Sequence, residues 1–340
     1  MATASLFKRL TQRGWPHAFF DIDLVDLSIA DSKYSGVLTP SSEVDAPKIG
    51  ISDQFLAHAA VYDQKYEHAN PVAVLLKRAF ELTHFQQSGR LEVLDIGTGS
   101  GKNSIIPLRG LFPNARFIAT DLSPDLLAIL LGHADRSGFR DHVTCVCTDA
   151  MESHFVPGRF DVVTGIAILH HLIDPTRALR AAHTALRKDG VAVFFDPFEG
   201  FALLKIIFSL ILDRAQACPG EVDEDVLQFL KAMRTDIEAR TGSDKSADRF
   251  RHMDDKWLFT RTFVEREAKN AGFRDVHILA KDTTDTAIRS YISDLLRLGL
   301  GKSQEALPAW AWSYVDLVEN SLSSEMKNDL VFEGAIVLVK

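Results

Sequence analysis

The strongest pattern lies between residues 91 and 197. There, short apolar runs alternate with stretches of helical period. LEVLDI, RFIATD, HVTCVCTD, FDVVTGIAI and GVAVFFD are the apolar runs. Runs this short and continuous read as strands buried on both faces. Their alternation with helices predicts a parallel sheet covered by helices, an α/β fold. Two further strands, DVHILA and AIVLVK, follow near the C-terminus, the first after a helix ending at Ala271-Gly272-Phe273. Residues 1–88 lack a strong strand pattern. They carry loop signals at Thr39-Pro40-Ser41-Ser42 and Ala46-Pro47, then helical period from about Ile51 to Thr83, interrupted at Asn70-Pro71. The chain therefore divides into a helical N-terminal cap or substrate region, 1–88, and a main domain, 89–340. The main domain carries helical inserts at 198–262 and 284–326.

Composition narrows the function classes. The chain has 340 residues, 46% hydrophobic and 25% charged, which is ordinary for a globular protein. Asp and Glu outnumber Lys and Arg 46 to 38, giving a net charge of -8. A phosphate-binding face needs the opposite balance, so nucleic acid is not an expected partner. The three cysteines, Cys145, Cys147 and Cys218, form neither a disulfide framework nor a CxxC pair. They fit a reducing, cytoplasmic setting. The start, MATASLFKRLTQRGWPHAFFD, is basic until Asp21 and has some character of an organelle transit peptide, but an amphipathic helix is the preferred reading. The greasiest run, Phe201–Leu212, is interrupted by Lys205 and falls short of the ~20 residues needed to span a bilayer.

The candidate chemistry sits in LEVLDIGTGSGKNS, residues 91–104. An apolar strand ends at Asp95, glycines follow at 97, 99 and 101, and a helix is expected from Lys102 or Asn103. Glycines permit positive φ and let a ligand lie against bare backbone, while a helix start offers free N–H groups to an anion. A phosphate-binding GxxxxGK loop would need glycine at position 96, where Ile96 stands, and a hydroxyl at 103, where Asn103 stands. A dinucleotide GxGxxG would need glycine at Lys102. The third form, Asp-x-Gly-x-Gly-x-Gly, is filled at every position from Asp95 through Gly97, Thr98 and Gly99 to Gly101. Later strand ends agree with it. Asp121 closes the second strand, where a carboxylate accepts ribose hydroxyls. Leu122 beside it is placed to pack on a base. Asp149 closes the third strand, with an acceptor for an exocyclic amine and the Ala150 N–H for the ring.

This ordered series resembles the class I S-adenosylmethionine-dependent methyltransferases, in particular the small-molecule group, over about residues 91–197. The resemblance implies a Rossmann-like seven-stranded sheet whose last strand is antiparallel and inserted between strands five and six. It implies S-adenosyl-L-methionine as cofactor and S-adenosyl-L-homocysteine as product. By position, Asp95 and the three glycines would hold the methionine end, Asp121 the ribose, and Asp149 with Ala150 the adenine. Gly165 and Ile166 would touch the amino group and the transfer zone. A helix before the first core strand would close over the cofactor, with Tyr66, four residues after Tyr62, covering the methionine end. The acceptor is expected to be a small metabolite or a glycan or lipid precursor, methylated on oxygen or nitrogen. The alternative is a non-catalytic cofactor-binding protein acting through its inserts.

His170 and His171, at the mouth after the fourth strand, are the candidates for base or acceptor contact. The ubiquinone-biosynthesis O-methyltransferases carry metal-linked glutamates matching Ala167 and His170. Ala167 cannot ligate, so no catalytic metal is expected. Asp196 and Glu199 close strand five where ligands bind in such sheets. Phe198, Phe201, Phe208, Trp257, Trp310 and Trp312 are candidate lid or pocket aromatics in the inserts. The Phe201–Leu212 run also allows a homodimer face.

Overall fold

The computed structural model describes residues 14–45, 52, 55–65, 71–85, 89–152 and 154–340. Among these, nine strands build one sheet: β1 (Leu24–Asp26), β2 (Val37–Pro40), β3 (Glu92–Ile96), β4 (Arg116–Asp121), β5 (Val143–Cys147), β6 (Phe160–Ile166), β7 (Leu186–Pro197), β8 (Asp275–Ala280) and β9 (Glu333–Val339). Their spatial order is β1-β2-β5-β4-β3-β6-β7-β9-β8. Strands β5, β4, β3, β6 and β7 run parallel, and β9 lies antiparallel between β7 and β8. This is the expected Rossmann-like arrangement with its inserted last strand. The strand order reverses at β3, so the C-terminal rim around it is the place where open α/β sheets bind ligands.

The sheet has two strands more than expected, both from the N-terminal region read as helical. β2 adds in parallel to β5 through Val37↔Cys145 and Leu38↔Val146, and β1 returns antiparallel on β2. A second difference lies before β7. The helix Pro175–Ala185 stops just ahead of it. Leu186 already pairs with Phe160, the chain passes through Asp189 at φ 61, and regular pairing resumes at Val191↔Val162. The polar sequence RKDG thus belongs to the frayed start of a strand.

Eleven α-helices are described: α1 (Ala59–Lys65), α2 (Pro71–Leu82), α3 (Ile105–Leu111), α4 (Pro124–Arg136), α5 (Pro175–Ala185), α6 (Phe201–Ala217), α7 (Glu224–Arg240), α8 (Arg261–Ala271), α9 (Ala287–Leu300), α10 (Ala309–Ser321) and α11 (Ser324–Asp329). Side chains alternate across the sheet. On β3, Val93 joins a core with Leu76 of α2, Leu108 of α3 and Leu130 of α4. Leu94 and Ile96 join the opposite core with Leu179 of α5 and Val264 of α8. Each fully buried Leu or Phe contributes about 1.5–3 kcal/mol, which is why these runs are apolar without interruption.

The inserts form a third core of their own. Phe201, Leu204, Phe208 and Ile211 of α6 pack against Leu230 of α7, Ile292 and Leu296 of α9, and Trp312 and Val315 of α10. Phe201 and Phe208, expected over an acceptor, are therefore the interior of a helical unit, while Phe198 belongs to the sheet core. Trp312 is buried, donating its indole N–H to the Gln304 carbonyl, and Trp310 lies beneath Arg214. Ile206 and Leu210 face outward on α6. No helix among the described residues is long and apolar enough to cross a membrane. All three cysteines are free. The first thirteen residues, and with them most of the segment read as an amphipathic helix, lie outside the described residues.

Candidate functional site

The rim at the end of β3 is shaped by three glycines in the left-handed region, Gly97 (φ 66), Gly99 (φ 55) and Gly101 (φ 76). They differ in what surrounds them. A Cβ on Gly97 would stand 2.5 Å from Ile168 Cγ1, and one on Gly101 2.5 Å from Leu130 Cδ1. One on Gly99 would meet nothing within 4 Å among the described residues. Gly97 and Gly101 are thus the tight corners, and Gly99 presents bare backbone to an open crevice. The Gly101 N–H donates to the Thr98 carbonyl, closing the turn. The following helix begins at Ile105 rather than at Lys102 or Asn103, and has seven residues.

Asp95 is fully buried beneath this turn. Ser104 Oγ donates to its Oδ2 at 2.5 Å and Thr164 Oγ1 to its Oδ1 at 2.6 Å. Burial raises its pKa to about 6 despite these hydroxyls. Its carboxylate braces the loop from below, tying β3 to β6.

Asp121, at the end of β4, is half-buried and faces the rim. Its Oδ2 accepts the Gly99 N–H and its Oδ1 the Ser123 N–H, each at 2.8 Å. Burial raises its pKa, and the same backbone donors oppose that shift. Leu122, Asp149 and Ala150 are also half-buried on adjacent strand ends. Asp149 Oδ1 accepts the Met151 N–H at 2.8 Å. Beyond β6, Gly165 and Ile166 are buried, and Gly165 has Phe194 and Ile168 closely over it. Ala167 then takes φ 56 and donates its N–H to the Phe195 carbonyl at 2.7 Å. A non-glycine residue in this conformation is uncommon and turns the chain sharply into the histidines.

The N-terminal segment roofs the crevice. The Phe55 carbonyl accepts Ser123 Oγ at 2.5 Å, and the Phe55 ring lies edge-on to Tyr62 at 4.9 Å and to His171 at 5.7 Å. Asp63 of α1 accepts Lys102 Nζ at 2.9 Å on both its carbonyl and its carboxylate, and meets His133 Nε2 at 3.2 Å. Tyr66 lies outside the described residues.

The two histidines stand in unlike environments. His170 is buried, with Nδ1 2.7 Å from Asp196 Oδ1, its own N–H donating to that oxygen at 3.0 Å, and Nε2 3.4 Å from Asp255 Oδ1. Burial works against its charged form, but the bonds to Asp196 and Asp255 outweigh it and hold the pKa at about 9. His170 is an imidazolium between two carboxylates. His171 Nδ1 lies 3.0 Å from the Asp254 carbonyl and 3.3 Å from Asp255 Oδ1. Burial and the adjacent His170 charge push its pKa down to about 3. A carbonyl only accepts, so the His171 proton sits on Nδ1 and the lone pair on Nε2. Arg240 Nη1 neutralises the other Asp255 oxygen at 3.3 Å.

His170, His171 and Asp255 also form the one set among the described residues able to hold a metal ion, with ligand atoms within 4.8 Å of one another. No catalytic metal is expected from the sequence, because Ala167 cannot ligate one where the resembling family carries a glutamate. Here Asp255 comes from the insert instead. The proton on His170 and the guanidinium of Arg240 occupy the same positions that a cation would compete for.

The pair makes a testable mark on stability. His170, with its raised pKa, stabilises the fold fully below about 6.5, and that contribution is lost as pH rises through about 9. His171, with its depressed pKa, contributes above about 6.5 and loses that contribution as pH falls toward about 3. The thermal midpoint is expected to fall between about pH 6.5 and 9, and His170→Gln should flatten that decline. An unchanged slope in the variant would remove His170 as its source.

The rim thus gathers the glycine turn, Asp121, Leu122, Asp149, Ala150, Gly165, Ile166 and both histidines on four adjacent strand ends. Trp257 is buried against Leu172, donating its indole N–H to that carbonyl at 2.7 Å. Sequence reasoning missed Phe55, Asp63, Arg240, Asp254 and Asp255. All five reach the rim from outside the alternating core.

A family model described as a methyltransferase domain matches residues 62–278. The ubiquinone biosynthesis O-methyltransferase of Azotobacter vinelandii is 36% identical over 113 residues, 33% of this chain and 46% of that one. Its counterpart in Methylococcus capsulatus is 33% identical over 157 residues, 44% of this chain and 62% of that one. The chain spans about half the length of these curated relatives. Among solved structures, a phosphoethanolamine N-methyltransferase 2 of Haemonchus contortus aligns with a TM-score of 0.47 at 19% identity, covering 84% of this chain and 57% of that one.

Proposed function

The chain belongs to the methyltransferase-domain family, and from that premise we propose that it transfers a methyl group from S-adenosyl-L-methionine to an oxygen or nitrogen of a small-molecule acceptor. The observation that carries this reading is the open bare backbone at Gly99, hydrogen-bonded to Asp121 on the rim of a reversed-order parallel sheet. A cofactor with a nucleoside and an amino-acid end fits these residues. Gly97, Thr98, Gly99 and Gly101, braced by Asp95, line the methionine end. Asp121 takes the ribose hydroxyls with lone pairs left over from its two backbone donors. Leu122, Asp149 and Ala150 take the adenine, and Gly165 and Ile166 floor the transfer zone.

When bound, the cofactor supplies a methyl group on a sulfonium that is already a good leaving group. The chain's task is then mainly positioning and exclusion of water. Phe55 and α1 cover the crevice, and Ile168 closes its inner wall against Gly97 and Gly165. His171 holds its Nε2 lone pair ready to accept a hydrogen bond from the acceptor hydroxyl or amine, and His170 remains a fixed cation behind it. The net charge of -8 argues for a metabolite, glycan or lipid precursor over nucleic acid.

Calorimetric titration with S-adenosyl-L-methionine, followed by a radiolabel screen against pooled metabolites, tests the reading. No binding would sink it outright. Asp121→Ala is expected to weaken cofactor binding by about 1–3 kcal/mol, the scale of a charged hydrogen-bond partner lost. Equal dissociation constants for variant and parent would remove Asp121 from the ribose site.

A further inference from the structure

We propose that Asp255, carried by the first helical insert, is the positioning residue that fixes the histidine pair, so that the insert completes the transfer site. The proposal deepens the functional reading above and rests on it for the role of His171.

The geometry is convergent. One Asp255 oxygen lies 3.4 Å from His170 Nε2 and 3.3 Å from His171 Nδ1, while the two rings stand 4.0 Å apart. Its other oxygen lies 3.3 Å from Arg240 Nη1. Arg240 is itself held: Nη1 lies 3.0 Å from Asp236 Oδ2, and Nη2 donates to the Trp257 carbonyl at 3.2 Å. The carboxylate is thereby oriented from the end of α7.

The backbone around it is fastened to the histidine turn residue by residue. The Lys256 N–H donates to the His170 carbonyl at 2.7 Å, His171 Nδ1 donates to the Asp254 carbonyl, and Trp257 Nε1 donates to the Leu172 carbonyl. Downstream, Phe259 exchanges backbone bonds with Pro197 and Glu199 at the end of β7. Segment 254–259 is therefore a strap lying between the ends of β6 and β7.

The chemical consequence concerns His171. With Nδ1–H committed to Asp254 and Asp255, only Nε2 remains as acceptor. Nε2 has no hydrogen-bond partner among the described residues, and the side chain keeps 23% of its surface exposed. Without the Asp255 charge, the His171 ring loses one of its two Nδ1 anchors and His170 loses one of its two carboxylates. Either change frees the pair to rotate or switch tautomer. Because Asp255 is 40% exposed, the site tolerates its replacement without opening a core cavity.

The test uses the full chain as Asp255→Asn, with Asp255→Glu as the conservative variant. Three readouts are taken: the dissociation constant for S-adenosyl-L-methionine, turnover with the acceptor found in the pooled screen, and the histidine tautomers by nitrogen-15 NMR. Asp255→Asn is expected to keep cofactor affinity within about twofold, to lower kcat at least about tenfold with a smaller change in KM, and to mix the His171 tautomers. Asp255→Glu should recover part of the kcat and the single tautomer. If Asp255→Asn lowers the melting midpoint, that recovery in Asp255→Glu carries the proposal. Unchanged kcat and tautomers in Asp255→Asn overturn it. So does loss of activity on chelation with restoration by a divalent ion, which would make the three side chains ligands. If no acceptor turns over with the parent protein, the functional reading fails, and the tautomer readout still decides whether Asp255 positions the pair.

Discussion

His171→Ala is expected to lower turnover by about 100-fold, the scale of losing a group that positions the acceptor, with the cofactor dissociation constant unchanged within about twofold. The Asp254 carbonyl fixes the ring with Nε2 free, and the Phe55 edge limits its movement. A pKa of about 3 keeps the ring neutral throughout the ordinary working range. The limb of the pH–rate profile on the acid side should therefore not report His171. His170→Ala should act differently, because it removes a buried cation from between Asp196 and Asp255 and leaves two carboxylates facing each other. Its main effect should be on stability. If His171→Ala retained full turnover on the parent's acceptor, it would be a packing residue only.

The glycine turn offers a sharper contrast. Gly97→Ala combines a left-handed backbone with a Cβ 2.5 Å from Ile168. The backbone term costs about 1–2 kcal/mol, and overpacking costs about 1–3 kcal/mol more. A fall in melting midpoint and loss of cofactor binding are expected together. Gly99→Ala carries the backbone term alone, since its Cβ meets no atom of the described residues within 4 Å. It should fold with a smaller loss, yet bind cofactor far more weakly, because the added methyl projects into the crevice. Titration and thermal denaturation of both variants check this. Normal affinity in folded Gly99→Ala would mean that no ligand lies against that backbone.

Much of the fold is legible in the sequence for a physical reason. Parallel strands buried on both faces must be apolar throughout, so β3 to β7 stand out as runs. β1 and β2 do not, because strands of three and four residues near the sheet edge, one ending in Pro40, leave no period to detect. The cofactor rim is legible because its residues sit at fixed offsets from those strand ends. The insert is not. The apolar period of α6 reports that one face is buried, but not that its partner is α7, α9 and α10 rather than a ligand. Asp254, Asp255 and Arg240 carry no local signal at all. Their roles depend on a tertiary crossing that brings the insert back onto the histidine turn.

The pairing of β2 with β5 has an effect beyond the site. β5 is buried at every position and would otherwise be the outermost parallel strand on its side. The short β1–β2 ribbon caps its open hydrogen-bonding groups, and the turn after it pins Glu43 to His154 and Thr148. Trimming the polypeptide past Pro40 would expose a flat, greasy border inviting self-association, so shortened versions would invite clumping for reasons unrelated to chemistry.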